Sequence, residues 1–86
     1  MSASQSETEI RAYLVDHFLS GHPERLPSDG SLLGSVIDST GLLELVTFLQ
    51  EHFHITVEDE DVVPENFGSV EQVAGYVDGK LRAKAS

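Results

Sequence analysis

Asp38, Ser39 and Thr40 bring a carboxylate and two hydroxyls to one point of an 86-residue chain, and Gly41 and a leucine-rich run follow at once. An oxygen-bearing residue ahead of an apolar helical pattern is the usual N-cap signal. One such oxygen is enough for a cap, so the stretch holds more polar chemistry than capping requires. The first backbone N–H groups of a helix lack intrahelical acceptors, and the macrodipole is positive there. A phosphate ester formed on the Ser39 hydroxyl would therefore be stabilised by its own anchorage. Gly41 leaves room for a group to approach this first turn. The competing expectation is that the three residues do nothing but cap.

Other chemistries fit less well. A hydrolytic serine needs a base held against it. The four histidines, His17, His22, His52 and His54, stand at spacings that compel no contact with Ser39. Glu58, Asp59, Glu60 and Asp61 lack the ligand alternation and central glycine of an EF-hand, so only weak divalent binding is expected there. His52 and His54 offer two transition-metal ligands without a third. No residue is assigned as catalytic or metal-ligating.

Several elements must position Ser39. A first helix is expected from about Glu7, with Ser6 and Glu9 at capping-box spacing and Ile10, Tyr13, Leu14, His17 and Phe18 on one face. Gly21 and Pro23 end it. Residues 21–38 form a long connection rich in turn formers, which Leu26, Leu32, Leu33, Val36 and Ile37 pin to the core. The second helix runs from Ser39 or Thr40 to Phe53, with Leu42, Leu45, Val46, Leu49 and Phe53 as its apolar stripe. Thr40, Glu44, Thr47 and Glu51 lie opposite, with Leu43 at the edge of that polar strip. For Phe48, packing at the core margin is favoured over a partner contact. At most one brief helix fits around residues 59–63. A last helix starts at Ser69, again with capping-box spacing to Gln72, and runs to about Arg82 with Val70, Val73, Val77 and Leu81 inward. The sum is an all-α fold, a small bundle of three main helices plus one short helix, with a long loop between the first and second.

Composition narrows the function. Fifteen acidic residues face five basic ones, a formal net charge of −10. From Asp38 to Asp78 there are ten Asp or Glu and no Lys or Arg. Nucleic acid and anionic membranes would be repelled, whereas a basic protein surface would not. Cysteine is absent, which excludes a disulfide framework and a thiolate zinc site and permits an intracellular setting. No apolar run is long enough for a membrane helix, and the basic and apolar regions of a signal peptide are missing. We expect a cytoplasmic monomer with one domain over residues 1–86, flexible at about 1–5 and 83–86. A chain of this size exposes much of its surface and has little room for an enclosed active site.

The run IDSTGLLELVTFLQEHFHITVEDED, residues 37–61, resembles the phosphopantetheine attachment region of acyl carrier proteins and thiolation domains. A hydrophobic residue, Asp and Ser open the helix; Glu44 and Leu45, then Leu49, Phe53, Ile55 and an acidic cluster follow at the family's spacing. More loosely, ENFGSVEQVAGYV resembles the family's last loop and helix. The resemblance implies a non-enzymatic, stand-alone carrier whose Ser39 bears 4′-phosphopantetheine, transferred from coenzyme A by a phosphopantetheinyl transferase. The arm's thiol would hold acyl or aminoacyl intermediates of fatty-acid or secondary-metabolite biosynthesis as thioesters. A loading ligase and downstream acyl-using enzymes would read the acidic face through basic surfaces, at Asp38, Thr40, Leu43, Glu44 and Glu51. Thr40 departs from the leucine most often found after the serine, which alters the surface that partners read. The alternative is an acidic helical adaptor without a prosthetic group. DSTG also resembles the loop of aspartic proteases, but that loop needs flanking strands and here a helical stripe follows.

Overall fold

Polar caps ahead of apolar stripes set where helices begin, and the computed structural model, which describes residues 5–27 and 30–85, has four helices among those residues. They are α1 (Gln5–Phe18), α2 (Ser39–Phe53), α3 (Pro64–Phe67) and α4 (Val70–Ala85), with 3-10 turns at Pro23–Arg25 and Asp59–Asp61. The only extended pairings among the described residues are isolated bridges, Ser31 with Ser69 and Leu33 with Ile37. Of the ends expected to be flexible, residues 1–4 and 86 lie outside the described residues, Gln5 belongs to α1, and residues 83–85 belong to α4.

Two local expectations are corrected. Ser6 does not cap α1: Gln5 is already helical, and Ser6 sits inside the first turn and is buried. Glu9 does not reach back to a cap either, because its carboxylate accepts from the Gln5 side chain and pairs with His52. Secondly, residues 59–61 form a 3-10 turn and a separate one-turn helix follows at Pro64. Proline's fixed φ and missing N–H suit the first helical position, so a residue that reads as a breaker begins a turn here. The Asn66 side chain donates to the Asp61 carbonyl at 2.9 Å, tying that turn to α3.

The core is made where the stripes meet. Ile10 and Leu14 of α1, Leu45 and Leu49 of α2, Phe67 of α3, and Val70, Val73 and Val77 of α4 are fully buried. Each such side chain contributes roughly 1.5–3 kcal/mol relative to exposure. α4 touches each of the other three helices and so holds the bundle together. Ser69 caps it through its hydroxyl, which accepts from the Gln72 N–H at 3.2 Å.

The long connection is part of this core. Leu32 and Ile37 are buried, while Leu26, Leu33 and Val36 pack partly buried against the same cluster. Backbone hydrogen bonds sew the loop to the junction of α3 and α4: Leu32 N–H to the Gly68 carbonyl and Val70 N–H to the Gly30 carbonyl, both at 2.9 Å. Beyond that seam the N–H groups of Ser35, Val36 and Ile37 converge on the Leu32 carbonyl at 2.8–3.1 Å, and Gly34 N–H reaches the Ile37 carbonyl. Gly34 turns this knot with φ +83°, a conformation open to glycine at little cost. The knot ends at Asp38, which is thereby fixed at the start of α2.

Candidate functional site

The question of which oxygen caps α2 is answered by geometry. Asp38 is the N-cap: its Oδ1 accepts the Gly41 N–H at 2.8 Å, and its carbonyl accepts the Leu42 N–H at 2.8 Å. Ser39 and Thr40 are therefore the first two residues of the helix proper, and both are exposed. Their hydroxyls stand outside the cap, beside first-turn N–H groups that have no intrahelical acceptor. The arrangement offers an exposed alcohol, able to act as the nucleophile, next to a positive helix end.

Gly41 serves a different purpose from the one its position implies. A Cβ there would lie 3.0 Å from Phe18 Cε1 and 3.1 Å from Ile37 Cβ. Gly41 is buried, and the room it makes is filled by the end of α1 and by the loop, not left open to an incoming group. Its contribution is to let α2 start tight against Phe18 and Ile37.

The polar strip of α2 runs from Thr40 through Leu43, Glu44 and Thr47 to Glu51, and all five are exposed. Leu43, at 64% exposure, is the one large apolar side chain left open among the described residues. Thr47 folds back to donate to the Leu43 carbonyl at 3.1 Å. Phe48 borders this strip on the side turned to α1 and stacks on Tyr13, with ring centroids 3.8 Å apart. Glu44 is not free: its Oε1 lies 2.9 Å from Nε2 of His17, with both side chains about half exposed.

This last pairing belongs to a larger pattern. His17 stacks on Tyr13, Tyr13 on Phe48 and Phe48 on His52, at centroid separations of 5.0, 3.8 and 4.9 Å. Each end is closed by a glutamate of the opposite helix, Glu44 on His17 and Glu9 on His52. The hydrogen bond from His52 holds the Glu9 carboxyl below the usual carboxylate range, with Gln5 adding to the effect. Burial in the stack pushes the Tyr13 phenol up, and the nearby Glu44 charge pushes it further. The ladder was missed in reading the sequence, yet the signal is there: Glu9, Tyr13 and His17 repeat the spacing of Glu44, Phe48 and His52, four residues per step.

The other candidates are dispersed. His22 pairs with Glu24 at 3.1 Å, and His54 sits in a left-handed turn after α2, where its carbonyl accepts from Lys84 at 2.6 Å. Asp61 accepts from the Tyr76 hydroxyl at 2.8 Å and lies 3.8 Å from Lys80. Burial and this hydrogen bond push the Tyr76 phenol well above its ordinary range. No group of three or more His, Cys, Asp or Glu among the described residues is placed to hold a metal ion. No helix among them is long and apolar enough to cross a membrane.

Comparison with known proteins finds two curated relatives of matching length. The chain is 25% identical over 72 residues to a probable acyl carrier protein, PigG, of a Serratia species, covering 83% of each chain. It is 29% identical over 76 residues to an acyl carrier protein of Zymomonas mobilis subsp. mobilis, covering 87% of this chain and 94% of the relative. No protein-family model matches the chain, and no solved structure matches it significantly.

Proposed function

We propose, from the acyl carrier protein membership that both relatives and the helical fold support, that this chain is a stand-alone carrier bearing 4′-phosphopantetheine on Ser39. Acyl carrier proteins are carriers and not enzymes, and they work with phosphopantetheinyl transferases and acyl-handling enzymes. The group supplies a long arm ending in a thiol, on which an acyl or aminoacyl cargo is held as a thioester. The observation that carries the assignment to Ser39 is the division of labour at the start of α2. Asp38 alone makes the cap, so the exposed Ser39 hydroxyl can be modified without loss of a structural bond. The residues fit the group: an accessible alcohol, first-turn N–H donors for its phosphate, and a loop anchored firmly enough to present both.

On this reading the strip from Thr40 to Glu51 is the face that partners meet. Glu44 and Glu51 offer charge to a basic surface, and Leu43 offers an apolar contact beside the attachment point. Such exposed charges act mainly on encounter rate. Incubation with coenzyme A, magnesium ion and a transferase should add one phosphopantetheinyl group by intact-mass measurement. Ser39→Ala should abolish the addition with the helical circular dichroism unchanged. Modification that persists in Ser39→Ala, or that maps to Thr40, overturns the assignment.

A further inference from the structure

Three of the five basic residues of this acidic chain fall at positions 80, 82 and 84, in the last two turns of α4. Two of them, Lys80 and Lys84, stand one turn apart and wall a cleft of about 330 Å³ together with His54, Ile55 and Thr56, which follow α2. The chain has fifteen acidic residues, and none of them lines this cleft.

Its walls are held by contacts outside it. Ile55 and Val57 are buried on either side of the exposed Thr56, and the Val57 N–H donates to Gln50 Oε1 at 2.9 Å. The Lys84 ammonium donates to the His54 carbonyl at 2.6 Å, which ties the end of α4 to the end of α2. The Lys80 ammonium lies 5.6 Å from the centre of the Tyr76 ring and 3.8 Å from Asp61 Oδ2. That second distance is beyond hydrogen-bond reach, so the Asp61 pair uses none of the Lys80 donors. An ammonium has three N–H groups, and closing one carbonyl leaves Lys84 two. Closure of α2 thus accounts for Lys84, but not for Lys80 or for the cleft that the two share.

We propose that this cleft binds a phosphate group, as the free dianion or as the ester of a small ligand. Two ammoniums on successive turns, with Cβ atoms about 5–6 Å apart, can approach one tetrahedral oxyanion from the same side. The Thr56 hydroxyl supplies a donor from the other wall, and Ile55 supplies hydrocarbon beside it. The net charge of −10 opposes an anion, and distance decides the outcome. At physiological ionic strength, exposed charges more than about 8 Å apart are largely screened. Glu44 stands ten residues before His54, about 15 Å along α2, and so weighs little against two lysines in contact with the ligand. Glu51 and Glu58 are nearer along the chain, but both are exposed and outside the cleft lining. The site lies about 22 Å along α2 from Ser39 and does not depend on that residue's modification.

The test is a titration of the isotopically labelled full chain with inorganic phosphate at about pH 8, where the dianion prevails, beside a sodium chloride titration at matched ionic strength. Saturable amide shift changes are expected at residues 54–56, 80 and 84, and not with chloride. Lys80→Gln should raise the midpoint at least about fivefold, the worth of one unit-charge pair at about 4 Å in water. Arg11→Gln removes a base that pairs with Glu7 on α1 and should leave the midpoint within about twofold. If Lys80→Gln loses helical circular dichroism, Thr56→Val serves in its place: it keeps both lysines and should raise the midpoint about threefold through one lost hydrogen bond. A midpoint lower for butyl phosphate than for inorganic phosphate assigns the cleft to an ester, and an equal one to the free ion. Shifts that rise linearly with phosphate, that match those with chloride, that centre on the first turn of α2, or that keep their midpoint in a folded Lys80→Gln overturn the site.

Discussion

Charge reversal at Glu44 is the most informative perturbation of the proposed partner face, because the structure separates its two possible effects. Glu44 is about half exposed and pairs with His17 at 2.9 Å. An exposed pair of this kind contributes about 0.2–1 kcal/mol. Glu44→Gln should therefore lower stability by less than about 1 kcal/mol, and Glu44→Lys by little more. The effect on association is larger. One unit-charge pair across about 5 Å in a near-aqueous dielectric amounts to about 0.8 kcal/mol, so neutralisation should slow association about fourfold and reversal about sixteenfold. The assay is the rate of phosphopantetheine loading against carrier concentration, at two ionic strengths and one fixed pH. His17→Ala is the control: it removes the same contact but keeps the acid, and should leave the association rate within about twofold. Raised ionic strength should shrink the differences among the variants. Equal rates for wild type and Glu44→Lys at low salt would refute the recognition role. A loss of more than about 2 kcal/mol in denaturant unfolding of Glu44→Gln would show that the residue is structural instead.

Three further expectations concern the scaffold. Because the Glu9 carboxyl is held low by His52, its contribution is present above the ordinary carboxylate pKa and is lost as pH falls through the folded value; His52→Ala should shrink the drop in urea midpoint between about pH 6 and pH 3, and an unchanged drop would dismiss the pair. The Tyr13 and Tyr76 phenols are both raised, so their contribution is complete below about pH 10 and is lost as pH climbs past it; phenolate absorbance should show both tyrosines of the folded chain ionising above the unfolded reference, and one ionising at or below about pH 10 would contradict the burial described. Gly41→Ala should cost about 1–3 kcal/mol by thermal or urea unfolding, since the new methyl meets Phe18 and Ile37 at 3.0–3.1 Å, and a neutral effect would mean the α1–loop–α2 junction gives way easily.

What could be read from the chain without coordinates was mostly local. The α2 stripe emerges from spacing alone, and its members Leu45 and Leu49 are fully buried. The pinning of the long connection follows from apolar residues among turn formers, and Leu32 and Ile37 indeed lie in the core. The start of α4 was equally legible, because Ser69 precedes an apolar period and caps it. What escaped depended on distant partners or on backbone detail. Ser6 has capping spacing, yet a helix that already includes Gln5 makes it an interior residue. Pro64 reads as a stop until its place at the first position of a turn is seen. Gly41 looks like space for a ligand, and only the approach of Phe18 and Ile37 shows what fills it. At the candidate site, the run from Asp38 to Thr40 was visible, but which of its oxygens makes the cap was not. That depends on a single hydrogen bond to Gly41.

The ring ladder between α1 and α2 has a local twofold character. Each helix presents a glutamate, an aromatic ring and a histidine in the same order, and the helices meet with those orders opposed. Such a strip is a spatial palindrome, and a palindrome has one register in which every member finds its counterpart. Sliding either helix by a single turn would, in one direction, set each glutamate against a ring and leave both histidines facing nothing, and in the other leave both glutamates facing nothing. Apolar stripes alone tolerate slippage, because one leucine fits a gap much as another does. Here the polar ends of the strip discriminate among alignments that the core would accept. Since α2 carries Ser39 at its head, the same alignment sets how far the Ser39 hydroxyl stands from the end of α1.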